Sequence, residues 1–154
     1  MEVALLAVGR LRPYYREACD DYLRRLTRYA RVSEREVREA ARAATVALQR
    51  AEEATALASR RPAGSTLVCL AREGTPWTSE ELAGNVDRWQ LDARPVAIAI
   101  GGSNGLSPDF LAGASSVWSL GPLTLPHELA RVVVAEQLYR AFTILRGEPY
   151  HKGR

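Results

Sequence analysis

An α/β fold with a mostly parallel sheet and helices on both faces is the architecture this sequence predicts, and three features predict it. Apolar runs of strand length alternate along the chain with segments of helical period. One of those runs, Val96 to Ile100, is free of charge and rich in β-branched residues, which suits a strand buried on both faces. Glycine-bearing loops follow Leu70, Ile100 and Leu120, and in such sheets ligands sit beyond the carboxyl ends of the strands. The 154 residues, 47% hydrophobic and 25% charged, fit one globular domain spanning 1–154, with no repeat, linker or low-complexity segment.

The elements follow in order. Glu2 to Val8 alternates weakly and is predicted as the first strand, closed by Gly9. Pro13 to about Tyr29 is predicted as a helix, because Tyr15, Cys19, Tyr22 or Leu23, and Leu26 recur at three- and four-residue steps. Arg31 to Val37 is a second strand, and Ala40 to Ser59 an alanine-rich helix ended by the turn Arg60-Arg-Pro-Ala-Gly64. Ser65 to Ala71 is a third strand, followed by Arg72-Glu-Gly-Thr-Pro76 as a loop. Thr78 or Ser79, with Glu80 and Glu81 behind it, caps a helix running to about Leu91.

The last third carries the densest pattern. After the strand Val96–Ile100, Gly101, Gly102 and Gly105 remove side chains where a ligand or a second backbone comes close. Ser107 then serves as N-cap, with Pro108 at the first helical position. Val117 to Leu120 is apolar, Gly121-Pro122 breaks it, and Leu123-Thr124-Leu125-Pro126 is a loop without charge, expected to lie against something flat and apolar. From about His127 to Leu145 a helix is apolar nearly all round, so burial on two sides is expected, by the sheet and by a second copy of the chain. Glu136 and Arg140 stand one turn apart and are predicted to pair.

Charge and composition exclude more than they assign. The net charge is +3, and Lys152 is the only lysine among 21 basic residues. A modest basic excess is compatible with an RNA partner without establishing one. No apolar run reaches the ~18 residues of a membrane span, and the opening residues do not form a signal peptide, so a cytoplasmic protein is expected. Cys19 and Cys69 lack metal-ligand spacing and are predicted as buried free thiols. No Cys/His cluster exists for a metal. Gly101-Gly-Ser-Asn-Gly105 lacks both the P-loop lysine and the dinucleotide glycine spacing, and Ser103 and Ser107 lack the context of a hydrolase nucleophile. The glycine turns and the apolar loop instead suit an uncharged adenine held by main-chain hydrogen bonds and apolar walls. Plain turn chemistry is the alternative for the glycines.

Ile100-Gly-Gly-Ser-Asn-Gly-Leu-Ser107, then Trp118-Ser-Leu-Gly-Pro-Leu-Thr-Leu-Pro-His127, Arg131-Val-Val-Val-Ala-Glu-Gln-Leu-Tyr-Arg-Ala141 and the terminal Pro149-Tyr-His151 resemble the RlmH family over essentially the whole chain. These are small SPOUT-class methyltransferases that use S-adenosylmethionine to methylate N3 of a pseudouridine in 23S ribosomal RNA. The resemblance implies a C-terminal trefoil knot, a homodimer with the site at its interface, and action on the assembled ribosome. It implies cofactor contacts at Leu70, Gly101, Gly102 and Leu120-Gly121-Pro122-Leu123-Thr124-Leu125, with no metal. Relatives often carry an acid and a Gly-Lys pair after the third strand; here Ala71-Arg-Glu-Gly-Thr75 stands there, so the lysine's contact is either absent or supplied by Arg72.

The imide nitrogen of pseudouridine is protonated at neutral pH, so the reaction calls for a base or a stabilised anion. The candidates are His151 as base, Tyr150 as positioning group, and Arg140 or Arg131 as anion stabiliser. A frayed tail is the ordinary reading of His151, and helix packing that of His127. RNA contacts are expected from Arg24, Arg25, Arg28 and Tyr150-His-Lys-Gly-Arg154. Two other functions fit the same pattern: a non-catalytic RNA- or ribosome-binding module, and a flavodoxin-like nucleotide binder.

Overall fold

A computed structural model describes residues 1–152. Five strands, β1 (Glu2–Val8), β2 (Arg31–Val37), β3 (Thr66–Thr75), β4 (Val96–Ile100) and β5 (Ser116–Trp118), form one sheet in the order β2-β1-β4-β3-β5. Every pairing is parallel. The helices are α1 (Pro13–Leu26), α2 (Val46–Arg60), α3 (Ser79–Asp92), α4 (Pro108–Ala112) and α5 (His127–Leu145).

Alternation along the strands sorts the core into two layers. Val3, Leu5, Val68, Ile98 and Ile100 face α1, α3 and α5, meeting Leu26, Val86 and Phe142. Leu6, Val8, Leu67, Cys69 and Ala99 face the other way, towards Leu57 of α2 and the α4 segment. Both cysteines are free and fully covered, and burial pushes their thiols up, Cys19 to about 11 and Cys69 to about 12.

Several boundaries differ from the sequence reading. α1 stops at Leu26 rather than Tyr29; the amides of Tyr29 and Ala30 close back on the Leu26 carbonyl, and the chain turns directly into β2. α2 starts at Val46 rather than Ala40. Thr45 caps it by accepting from the Leu48 amide at 3.1 Å, while the Ala40 amide is drawn away to Glu53 Oε2 at 3.0 Å. β3 runs on to Thr75 through the segment predicted as a loop, because a bulge lets both Leu70 and Thr75 oppose Trp118. Gly74 makes this possible: a Cβ there would lie 2.5 Å from the Val117 carbonyl oxygen. The α3 start matches the prediction, with a capping box formed by Thr78 and Glu81.

α5 is buried as its composition demands, and part of its covering is internal. It lies on the sheet between α1 and α3, and Val134, Ala135, Leu138, Ala141 and Phe142 are covered within the single chain. Flanking helices thus supply part of the second wall, while Leu129, Val132, Val133 and Ile144 stay half-buried within the single chain. Among the described residues, no helix is long and apolar enough to cross a membrane, and no cluster of His, Cys, Asp or Glu could hold a metal ion.

Candidate functional site

The carboxyl ends of β3 and β4, the segment after β5 and the first turn of α5 enclose a cavity of about 210 Å³. Its floor is a tight turn after β4. The Gly105 amide donates to the Gly102 carbonyl at 3.0 Å, and Gly105 takes φ +72°, a conformation suited to glycine. A Cβ on Gly101 would sit 2.6 Å from the Gly105 carbonyl carbon, so the two strands of the turn touch main chain to main chain. Side chains from the α2 layer lash the turn down: Arg50 Nε donates to the Asn104 carbonyl at 2.6 Å, and Asn104 Nδ2 to Gln49 Oε1 at 3.0 Å.

The roof is the uncharged segment after β5. Its entry is pinned where the Ser119 amide donates to the Thr75 carbonyl at 3.0 Å, and the Ser119 hydroxyl accepts from the Gly121 amide at 3.1 Å. Gly121 has φ +114°, which turns the chain over the cavity. Leu123 is 75% exposed, an apolar lip at the mouth of the cavity.

Of the residues expected to touch a cofactor, Leu70, Gly101 and Gly102 line the cavity from the sheet side. Leu120, Gly121, Leu123 and Leu125 line it from the roof, while Pro122 and Thr124 belong to the same segment without lining it. The sequence reading missed Ser103 and Ala130 as wall residues, and the inward position of His127 on the first turn of α5. A spacing argument could not find them, since each reaches the cavity only through the way α5 and the turn lie on the sheet. Arg72 also lines the cavity, in the place where a lysine substitute was one of two alternatives.

The three residues expected to be catalytic meet at a second centre on the outer turns of α5. Arg140 donates to Glu136 Oε1 from Nε at 3.0 Å, forming the predicted pair, and Tyr150 donates its hydroxyl to the same oxygen at 3.0 Å. The Arg140 guanidinium lies 4.8 Å from the centre of the Tyr150 ring. His151 closes the group, with Nδ1 3.3 Å from Arg140 Nη1 and Nε2 2.9 Å from Glu80 Oε1. Arginine can only donate and a carboxylate can only accept, so Nδ1 is placed to accept from Arg140 and Nε2 to donate to Glu80. The tail is thus anchored rather than frayed. Hydrogen bonding from His151 holds the Glu80 carboxyl below the usual range, burial pushes the Tyr150 hydroxyl up, and the Glu136 hydrogen bond raises Arg140.

None of these three lines the cavity. A groove of about 210 Å³ lies between the two centres; it shares Leu120 and Gly121 with the cavity and ends at Gln137, whose Nε2 donates to Glu136 Oε2 at 2.7 Å.

Arg131 is removed from the anion-stabilising role. Its side chain is 1% exposed and is spent on Glu34, Glu36 and the carbonyls of Val8 and Gly9. Arg24 and Arg25, expected to touch RNA, both pair with Asp21. The expected contacts from Gly153 and Arg154 lie outside the described residues.

Comparison with known proteins bears on this arrangement. Residues 1–151 match the family model described as "Predicted SPOUT methyltransferase". A Pseudomonas entomophila protein named "Ribosomal RNA large subunit methyltransferase H" is 42% identical over 155 residues, covering 99% of this chain and all of that protein. The protein of the same name from Pseudomonas aeruginosa PAO1 is 43% identical with the same coverage. A crystal structure of a probable methyltransferase from Bordetella pertussis Tohama I shares the fold, with TM-score 0.55 and 21% identity over 91% of this chain and 95% of that one.

Proposed function

The chain belongs to the SPOUT methyltransferase family, and we propose that it transfers a methyl group from S-adenosylmethionine to N3 of a pseudouridine in large-subunit (23S) ribosomal RNA. On this reading it is a cytoplasmic homodimer acting on the assembled ribosome. The observation that carries the proposal is the cavity at the carboxyl rim: main-chain groups of a glycine turn below, an uncharged leucine segment above, and Arg72 and His127 at its sides. The apolar roof and main-chain floor fit a flat base, and Arg72 suits the carboxylate of the cofactor's methionine part.

When bound there, the cofactor supplies an electrophilic methyl group on a sulfonium. The residues present fit it. Leu70, Leu120, Leu123 and Leu125 would pack against the base and exclude water, and the main chain at Gly101, Gly102 and Gly121 would hydrogen-bond its edge. Pro122 and Thr124 would hold the roof segment in shape. The trefoil crossing expected of the family would bring the turn and the roof together, and the cavity they share supports it.

Arg140, Tyr150 and His151 would act on the nucleotide. The positive charge of Arg140 would favour the deprotonated imide, Tyr150 would position the base, and His151 would take the proton at Nδ1 once Arg140 turns from it to the substrate. Within one subunit this group stands apart from the cavity, so a partner subunit's copy of it would complete the site.

Assembled ribosomes from a strain lacking the modification, incubated with labelled S-adenosylmethionine, should take up about one methyl group each. Binding to those ribosomes without transfer would instead favour the non-catalytic module. Sedimentation should find dimers at micromolar concentration, and a strict monomer with full turnover would overturn the shared site.

A further inference from the structure

Three arginines from three separate elements converge at the opposite, amino end of the sheet. Arg28 follows α1, Arg31 opens β2, and Arg94 precedes β4. Together they border a groove of about 820 Å³ whose aromatic walls are Tyr29 and Trp89. All three side chains are exposed, and among the described residues none has a carboxylate within ion-pair distance. Of the nearby carboxylates, Glu2 faces Arg35 at 3.7 Å, and Glu148 accepts from the Tyr29 hydroxyl at 2.6 Å. Arg146 adds a fourth guanidinium, 5.5 Å from the centre of the Tyr29 ring, while Arg28 lies 5.6 Å from the same ring.

The contrast with the rest of α1 is what gives this cluster meaning. Arg16, Arg24 and Arg25 are each neutralised by a carboxylate close by. Past the end of α1 that neutralisation stops, and like charges gather around a concave surface with aromatic faces. Positive charge focused in a concavity, interleaved with aromatic rings, is complementary to a nucleic-acid backbone.

We propose that this amino-end groove docks backbone phosphates of the RNA substrate, at the end of the sheet opposite the cofactor cavity. The inference rests on the reading above that the substrate is RNA. The groove and the cofactor cavity open at opposite ends of β1, seven residues or roughly 23 Å apart. Tyr29 on the groove wall, by contrast, reaches Tyr150 through Tyr139, with ring centres 6.1 Å and 4.7 Å apart. The groove therefore contacts nucleotides that flank the target and carries affinity and orientation, not chemistry.

The test is a salt titration of binding to unmodified assembled ribosomes, with the wild-type chain and the variant R28Q/R31Q/R94Q. Removing one arginine–phosphate pairing lowers the log–log salt slope by about 0.7–0.9. The triple variant should therefore lose about 2–3 from the slope and raise KM for assembled ribosomes at least tenfold. Its kcat and its affinity for S-adenosylhomocysteine should stay within about twofold of wild type. The charge-matched variant R38Q/R42Q/R60Q, after β2 and at the end of α2, outside the groove, should keep the wild-type slope. An unchanged slope and KM in the first variant would overturn the proposal, as would equal losses in both. If the triple variant failed to bind S-adenosylhomocysteine, R94E alone is read in its place, with a slope loss of at least 1 expected and none overturning the docking role. Loss of binding to phosphatidylserine vesicles with unchanged ribosome binding would assign the groove to lipid and overturn it too. If S-adenosylhomocysteine binds but wild-type protein does not bind assembled ribosomes, the RNA reading fails first and this proposal falls with it.

Discussion

Nη2 of Arg131 donates to the carbonyl oxygen of Gly9 at 2.9 Å, tying the second turn of α5 to the carboxyl end of β1. The same guanidinium meets Glu34 at 3.0 Å and Glu36 at 2.5 Å, and Glu34 also receives Arg16 at 2.6 Å. His127 and Ala130, on the turn so fastened, form one wall of the cavity. The charge network thus sets where α5 begins over the sheet.

Replacing Arg131 by Met leaves Glu34 and Glu36 with Arg16 as their remaining cationic partner. The cost is therefore about 1–3 kcal/mol, below that of a buried charge left without any partner. Urea unfolding should show a loss of that size, and S-adenosylhomocysteine affinity should fall in parallel. A loss below about 1 kcal/mol would show that the network does not hold α5.

Gly101→Ala places a methyl group against the main chain of Gly105, which cannot swing aside as a side chain could. The turn has to move, at a cost of about 1–3 kcal/mol. Calorimetry should find S-adenosylhomocysteine bound at least about fivefold more weakly, with the fold retained by circular dichroism. Gly84→Ala in α3 has open space around the new methyl, and it should raise stability by about 0.5–1 kcal/mol.

Arg140→Ala should cut kcat by about 10²–10³, the usual effect of removing one oriented donor beside developing charge. Affinity for S-adenosylhomocysteine should stay within about twofold, because Arg140 does not line the cavity. Glu136→Gln should give a smaller loss, since the amide oxygen still accepts from Tyr150. An Arg140→Ala enzyme with wild-type kcat on assembled ribosomes would remove Arg140 from the chemistry.

Glu128 gives the molecule an acid-sensitive joint. Its carboxylate accepts from the Arg12 amide at 2.7 Å and from Arg12 Nε at 2.9 Å, which holds its pKa below the usual range despite burial. A carboxyl depressed in the folded state contributes stability above its unfolded pKa, about 4.3, and loses it as pH falls through the lowered value. Thermal unfolding of the wild type should weaken over that window. Glu128→Gln should be less stable at pH 7 and show a shallower fall below pH 4.3, and identical pH profiles would exclude the joint.

Much of this was legible in one dimension. Val96–Ile100 reads as a buried parallel strand because a two-faced strand has no solvent side to mark with charge, and Ser107-Pro108 reads as a helix start because both residues act within one turn. The glycines after β4 and β5 announced the cavity because close main-chain approach leaves few other options. What failed were boundaries decided at long range. Ala40 is left outside α2 because Glu53, thirteen residues on, takes its amide. Thr75 joins β3 because Trp118 arrives beside it.

By itself the sequence determined the alternating strands and helices, the two core layers, and the apolar, glycine-floored rim, since each follows from local periodicity and steric freedom. Only the tertiary structure decided the partners. α5 is walled by α1 and α3, Arg131 is buried among carboxylates while Arg140 faces Tyr150 and His151, and Arg28, Arg31 and Arg94 gather around one groove. Which arginine is spent and which is free depends on the distances between residues far apart in the chain, and a one-dimensional pattern carries no such distances.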